Sequence, residues 1–471
     1  MNRISRLLTA VLPALALGAC SLAPKYVAPA PPVPTSWPVG DAYLAQSESS
    51  LPLVSYKDVF RDPRLQSLVE QALANNRDPR VAAANLAAAR AQVRVSRANQ
   101  FPAVGVGGSA TDSETGGGFG QNGMNYSLQG GISSFEIDLF GKLANATQAQ
   151  RDTALATEAA ARTVRLGLVA DLALAWSTYA ADRDLLAIAQ STAAISTDTV
   201  RLSTARLKGG VAARTELRQA EQVLETANGD VASQKALLAQ DINAIRLLVG
   251  ADFDQSLLPA GIDEVNANLS ELPAGMDTQV LLRRPDVVQA EYELRAANAD
   301  IGVARAELFP TISLSALIGF ASTSISSLFD GASRTTTLGG DASWSIFNAG
   351  GRTANVEVSK AQRDAALATY EKAIQSAFSE VADALSDQGT LTERLRAASA
   401  FTTAAQDTAQ LTEATYRRGI ASSLDNLDAQ RSLYSARQAE IAVRLQQAGN
   451  RVALYRALGG DQATAPVARP Q

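Results

Sequence analysis

Apolar and polar positions alternate with a period of two in only a few stretches of the chain. The clearest is 311–320, where Ile312, Leu314, Ala316, Ile318 and Phe320 fall on one face of a strand. Leu338, Ala342, Trp344 and Ile346 share one face of a second strand. Earlier in the chain Tyr126, Leu128 and Ile132 share a face, and then Phe135, Ile137 and Leu139 take over. That change of phase at Ser133-Ser134 predicts a bulge or the edge of a membrane layer. Polar, glycine-rich stretches at 107–125 and 321–337 separate the strands of each pair. The pattern predicts two hairpins with long polar loops, with strands at about 101–140 and 309–348. Strands of about 10 residues are what a tilted membrane crossing needs.

The rest of the body reads as helix. Two helices of modest length, about 77–100 and 285–308, end at Phe101-Pro102 and Phe309-Pro310, and Pro285 suits a first helical position. Two very long stretches without proline, 142–208 and 352–418, are rich in Ala, Leu, Gln, Arg and Glu. At 1.5 Å per residue each spans about 100 Å. Gly209, Gly210 and Gly419 close them in left-handed caps, and return helices follow at 214–249 and 422–458. Ala is plentiful and polar residues are spread around these helices, which fits a thin wall wetted on both sides.

The same order of elements occurs twice. Leu86 through Pro102 matches Leu294 through Pro310 at an offset of 208, Ala149 through Thr157 matches Ala361 through Thr369 at 212, and Gly210-Val211-Ala212 matches Gly419-Ile420-Ala421 at 209. The body is one unit of about 210 residues, duplicated. The organisation predicted is a signal peptide (1–19), an extended N-terminal strap (20–60), a first repeat (61–249), an equatorial linker (250–276), a second repeat (277–460) and a tail (461–471).

Composition narrows the chemistry. Among 471 residues there is no His and a single Cys, which excludes a Ser-His-Asp triad, a Cys-His dyad, His-ligated or Cys-clustered zinc, and intrachain disulfides. Charged residues make up 19%, and the net charge of −5 offers no basic stripe for nucleic acid. The glycine runs Gly116-Gly117-Gly118 and Gly339-Gly340 lack the Lys-Ser/Thr of a phosphate loop. Arg283-Arg284 is read either as an anion site or as a structural contact. The expectation is a non-enzyme with no cofactor, no metal centre and no nucleic-acid partner.

The lone Cys stands in an informative place. Arg3 and Arg6 precede an apolar run at 7–17, which ends Leu17-Gly18-Ala19-Cys20, the form of a lipoprotein cleavage site. Cys20 is the expected lipidation residue; the alternative is an ordinary signal peptide with an incidental Cys. Cleavage leaves 40 basic against 47 acidic residues, a balance of −7. Proline at 24, 29, 31, 32, 34 and 38 makes the next segment an extended strap, with Trp37 as its anchor.

Four strands are too few to close a membrane barrel, which needs about eight; several chains must contribute, and three would supply twelve. The motifs Cys20-Ser-Leu-Ala-Pro24-Lys-Tyr26, Trp37, Asp62-Pro63-Arg64-Leu65, Ala72-Leu73-Ala74-Asn75-Asn76, Arg283-Arg284-Pro285-Asp286-Val287, Phe309-Pro310, Phe347-Asn348-Ala349-Gly350-Gly351 and Leu427-Asp428-Ala429-Gln430-Arg431 occur in this order. With them the chain resembles the TolC-type outer-membrane factor family, and within it the NodT-like efflux lipoproteins. The resemblance implies a mainly α fold with a membrane β-barrel, formed as a homotrimer with a 12-stranded barrel and a 12-helix periplasmic tunnel. It implies a lipid-anchored duct in the outer membrane of a Gram-negative bacterium, contacting outer-membrane lipid. Its implied partners are a periplasmic adaptor (membrane fusion) protein and a proton-driven inner-membrane exporter. Two rivals remain: the duct of an ATPase-driven type I protein secretion system, and a lipid-anchored coiled-coil scaffold without a pore.

Residues at the second tip carry the candidate site. Leu424, Asp428 and Arg431 fall on one helix face, with Asp425 beside Asp428. The resemblance implies a periplasmic gate there, with Leu424 as plug and Asp425 and Asp428 as acidic rings. Ser422 and Asp425 equally make a capping box that serves only the helix start. Tyr416 and Arg418 before that tip, and Thr215 and Glu216 at the first, are the expected latch, with Tyr416 or Arg418 bonding Glu216; Glu216 alternatively serves its own helix N-terminus.

Overall fold

A computed structural model of the protein describes residues 21–43, 55–113, 123–271 and 278–460. Residues 1–19, Cys20, the Gly116-Gly117-Gly118 run and the 461–471 tail lie outside the described residues.

Three helices open the body: α1 (Tyr56–Val59), α2 (Pro63–Asn75) and α3 (Arg77–Ala98). Helix α2 is not among the elements expected from the sequence, although its start is written there. Asp62 accepts from the Arg64 amide as N-cap, and Pro63 occupies the first turn, where a missing N–H costs nothing. The four strands are β1 (Val104–Ser113), β2 (Gly123–Ile137), β3 (Thr311–Ser322) and β4 (Arg334–Ser343). They form one antiparallel sheet in the order β1-β2-β3-β4, so the hairpin of one copy pairs with the hairpin of the other through β2 and β3.

The register sorts the side chains. Val104, Ile132, Ala316 and Leu338 are direct partners in a row across all four strands, and Phe135, Leu314 and Gly340 make a parallel row. The opposite face carries Gln129, Gly319 and Thr335 in one row, and Glu136, Ser313 and Asp341 in another. One face is therefore aliphatic and the other polar. The shift of register between Ile132 and Phe135 is the predicted bulge: three steps on β2 oppose two on β3, and Phe135 returns to the aliphatic face. Val104, Val106 and Leu338 are 77%, 79% and 80% exposed, so among the described residues this row of the face has no cover.

Strand limits differ from expectation at both loops. Gly107 and Gly108 belong to β1 and residues 334–337 to β4, because ladder hydrogen bonds use the backbone and tolerate glycine and threonine. Strand β4 stops at Ser343, so Trp344 and Ile346 lie beyond it; the Trp344 indole N–H donates to the Leu308 carbonyl at 3.1 Å.

The long helices are α4 (Lys142–Lys208) and α8 (Gly351–Arg417), and the return helices are α5 (Arg214–Val249) and α9 (Ser423–Ala457). The short α6 (Ile262–Ala267) lies between the copies, and α7 (Pro285–Ala306) opens the second copy as α3 opens the first. The chain divides into two compact units, one made of residues up to 31, 84–159 and 288–372, the other of 32–83, 160–287 and 373 onward. Each takes a share of both repeats. In the first, Ala149 of α4 packs on Ala296 and Ala299 of α7, and Phe140 stacks on Phe309 at 4.5 Å. In the second, Trp37 is buried and stacks on Phe378 at 5.1 Å, Phe60 meets Tyr455 edge-on at 5.0 Å, and the Trp176 N–H donates to the Leu257 carbonyl at 3.0 Å. Arg284 is 6% exposed; it donates to both oxygens of Asp286 (3.0 and 2.6 Å), to Glu380 (2.8 Å) and to the Ala457 carbonyl (2.9 Å). That is the structural contact, and these bonds occupy the guanidinium an anion would need.

Candidate functional site

Both helix pairs turn at a left-handed glycine, Gly210 (φ 72°) and Gly419 (φ 75°). In this region an L side chain is strained, and the following amides can bond back to the helix. The Val211 and Ile420 amides donate to the Arg206 and Thr415 carbonyls, each at 3.0 Å. Gly209 precedes the left-handed position and is not itself in it.

The second tip is the better secured. The Ser422 hydroxyl accepts from the Asp425 amide at 3.2 Å, and the Asp425 carboxylate accepts from the Ser422 amide at 3.3 Å and from its hydroxyl at 2.7 Å. The capping box is thus formed. The first copy has Ala213 at the equivalent place, with no side-chain cap. Leu427 then turns inward to Ala220 and Val223, while Ser423 and Asn426 are buried beside it. The packing leaves Leu424 (57% exposed), Asp425, Asp428 and Arg431 on the outward face, as their spacing predicts.

Within the chain the Tyr416 hydroxyl makes no hydrogen bond to Glu216. Tyr416 is 1% exposed, its ring lies 5.0 Å from the Arg206 guanidinium, and its hydroxyl has no hydrogen-bond partner. The buried Glu216 Oε2 also has none, and Thr215 and Arg418 are exposed. The cation–π contact with the adjacent α4 accounts for the Tyr416 ring. Ser203 Oγ, Ser423 Oγ, Asn426 Oδ1 and Gln430 Oε1 are likewise buried and unpaired.

One link has no counterpart among the sequence-based expectations. The Tyr434 hydroxyl of α9 donates to Asp230 of α5 at 2.6 Å, joining the two repeats. Burial first, and then the bond to Asp230 and its charge, push the Tyr434 phenol above its ordinary value. Beside the link lies an open groove of about 870 Å³, lined by Gln222, Glu225 and Asp230 of α5 and by Gln430, Arg431 and Tyr434 of α9. The partners are 204 residues apart, and neither has a local signature. A second pair without such a signature is Asp182 of α4 and Asp241 of α5. Burial and the charge of Asp182 push Asp241 up to about 6. Among the described residues no group of three or more His, Cys, Asp or Glu is placed to hold a metal ion.

A model of the outer membrane efflux protein family matches residues 68–251 and 278–460, one segment in each repeat. The chain belongs to the outer membrane efflux protein family. Over 462 residues, 96% of this chain and 95% of the relative, it is 40% identical to ArpC of Pseudomonas putida, an antibiotic efflux pump outer membrane protein. Its fold matches the crystal structure of CusC, the Escherichia coli relative named a cation efflux system protein, with a TM-score of 0.84 and 36% identity, covering 94% of this chain and all of that one. It matches the open state of the Neisseria gonorrhoeae outer membrane channel MtrE with a TM-score of 0.83 and 31% identity, covering 94% and 98%. This outer membrane efflux protein is therefore mainly helical with four antiparallel strands, and its family is one of efflux channels rather than enzymes.

Proposed function

We propose that three copies of the chain close edge to edge into a membrane barrel, continued by their helix pairs as the exit duct of a tripartite efflux pump. The observation that carries this reading is the sheet: an uncovered aliphatic face, a polar opposite face, and β1 and β4 each paired on one side only within the chain. A closed barrel satisfies those edges and puts the aliphatic face in lipid and the polar face around water. The duct takes drug-like or other small solutes from a proton-driven inner-membrane exporter through a periplasmic adaptor, and it catalyses nothing. Lipid on Cys20 ties it to the outer membrane. Leu424, Asp425, Asp428 and Arg431 line the periplasmic gate, where three copies of each acid favour cations. Glu216 and Tyr416, whose buried polar atoms lack partners here, pair with a neighbouring chain when the gate is shut.

Reconstitution tests the reading. Purified protein should run as a heat-modifiable trimer and give discrete conductance steps in planar bilayers. A water-soluble monomer without channel events would end it. Deletion followed by a panel of antibiotics, solvents and metal salts identifies the cargo class.

A further inference from the structure

The end of the sheet away from the helices carries a cluster built from β2, β3 and the loop that joins β3 to β4. Tyr126 and Leu128 of β2 and Phe320 of β3 stand on the aliphatic face, with Leu128 and Phe320 direct partners. The loop after β3 has a definite fold. It makes two short 3-10 turns, Ile325–Ser327 and Gly331–Ser333. Hydroxyls hold it: Ser322 is bonded to Ser327 at 2.6 Å, Ser324 to Ser326 at 2.7 Å, and Ser333 donates to the Ser327 carbonyl at 2.6 Å. That fold sets the Phe329 ring edge-on against Phe320 at 5.7 Å, and so on the aliphatic side of the sheet. Phe329 is still 67% exposed. The loop thereby extends the apolar surface past the end of β3.

Arg334, where the chain re-enters the sheet, is the direct partner of Phe320 and therefore stands on the same aliphatic face. It is the only Lys or Arg in the four strands. It is exposed, and no acid among the described residues pairs with it. A charge on a lipid-facing surface is costly at the bilayer centre and tolerated at its edge. At about 3.3 Å per residue and a tilt of about 40°, β4 rises about 23 Å, close to an apolar band about 25 Å tall. Phe101, Phe309 and Phe347 lie beyond the strand ends at the helix side. The two aromatic levels bracket that band, as they do at membrane interfaces, and Arg334 stands at the far one.

We infer that Arg334, with Phe320 and Phe329 beside it, is a binding site for the phosphate of an outer-leaflet lipid headgroup. The inference rests on the membrane-barrel reading above. The guanidinium offers a fork of N–H donors that matches two phosphate oxygens, and the rings seat the hydrocarbon next to them. A headgroup without phosphate has no anion for Arg334 to meet. A free phosphate has no hydrocarbon for the rings. A phosphorylated lipid is the occupant that uses both. Asp112 of β1 is the other charge on this face, at the same end but on the opposite edge of the sheet. In a closed barrel β1 meets β4 of the next copy, and an Arg334–Asp112 pair across that seam is the alternative that the test separates.

The test uses the full-length protein purified as a trimer in detergent. It is titrated with diphosphorylated lipid A and with the same lipid stripped of its phosphates, each with and without inorganic phosphate as competitor, and bound lipid is counted by native mass spectrometry. The intact lipid should bind about fivefold tighter than the stripped one, the worth of one basic residue near an anionic lipid surface. Inorganic phosphate should not displace it. Arg334→Gln should bring the intact lipid down to the affinity of the stripped one, Arg334→Lys should keep part of the difference, and Asp112→Asn should bind as wild type. Equal binding of both lipids by the unaltered trimer, wild-type binding by Arg334→Gln, or displacement by inorganic phosphate overturns the site. Trimer lost in both Arg334→Gln and Asp112→Asn, and restored in Arg334→Asp/Asp112→Arg, overturns it in favour of the seam. A wild-type chain that forms no trimer ends the barrel reading and the site with it, whereas a trimer indifferent to the phosphates ends only the site.

Discussion

Replacing Tyr434 by Phe deletes one oxygen and with it the side-chain bond that ties α9 to α5 above the gate. The bond is short, 2.6 Å, as expected for a hydroxyl on a carboxylate. Hydrogen bonds to charged groups are worth about 1.5–3 kcal/mol. The Asp230 carboxylate borders the open groove, so water can replace the lost donor and the lower end applies, about 1.5 kcal/mol per chain. Asp230→Asn keeps an acceptor and should cost about 1 kcal/mol. If the gate opens by parting α5 from α9 at this level, each Tyr434→Phe chain shifts toward the open state by about tenfold, since 1.4 kcal/mol is a factor of ten. Three copies act together in a trimer, so leak conductance without adaptor should rise steeply, with single-channel size unchanged. The double variant should leak no more than Tyr434→Phe alone, because both changes remove one interaction. The raised Tyr434 phenol keeps its proton through neutral and mildly alkaline assay buffers. Wild-type leak in Tyr434→Phe, or additive effects in the double variant, would show that the Tyr434–Asp230 bond does not hold the tip closed.

Three further outcomes follow from the same geometry. Asp428→Asn should lower cation over anion permeability with no change in melting temperature, whereas Ser422→Ala should cost about 1 kcal/mol through the lost cap; an unchanged reversal potential in Asp428→Asn would separate Asp428 from the gate. Asp241 holds in the folded protein a proton that the unfolded chain releases at its ordinary value of 3.8, so its own contribution to stability is fully present below that value and is lost as pH rises through about 6; Asp241→Asn should melt higher than wild type at neutral pH and remove that part of the pH dependence, and parallel pH profiles would contradict it. Arg284→Met leaves Asp286 and Glu380 without their buried cation and should cost about 3 kcal/mol, the low end for a broken buried pair because both acids stay partly exposed; an unaltered denaturation midpoint would show that Arg284 does not hold the segment.

Elements defined by spacing along the chain are legible in the amino-acid sequence alone. The helices 142–208 and 214–249, the two left-handed glycine turns, the bulge at Ser133-Ser134 and the outward face of Leu424, Asp428 and Arg431 each depend on periodicity or on a backbone conformation that few residues adopt. The capping box at Ser422 depends on a three-residue spacing and is equally visible. Helix α2 carries the same kind of local sign at Asp62-Pro63, a cap followed by a proline in the first turn.

What is not legible there joins residues remote in sequence. The pairing of β2 with β3, the row from Val104 to Leu338, the Tyr434–Asp230 bond and the seat of the strap on α7 link segments 175 to 283 residues apart, and no local pattern names their partners. Tyr416 shows the difference most directly. Its place before the tip is legible, but the burial of its ring against Arg206 is not, because packing of α8 on α4, and not position along α8, settles which neighbour the ring meets. Periodicity states which face of an element will be apolar. Contact between faces is a long-range property of the folded chain, and it appears once those faces have met.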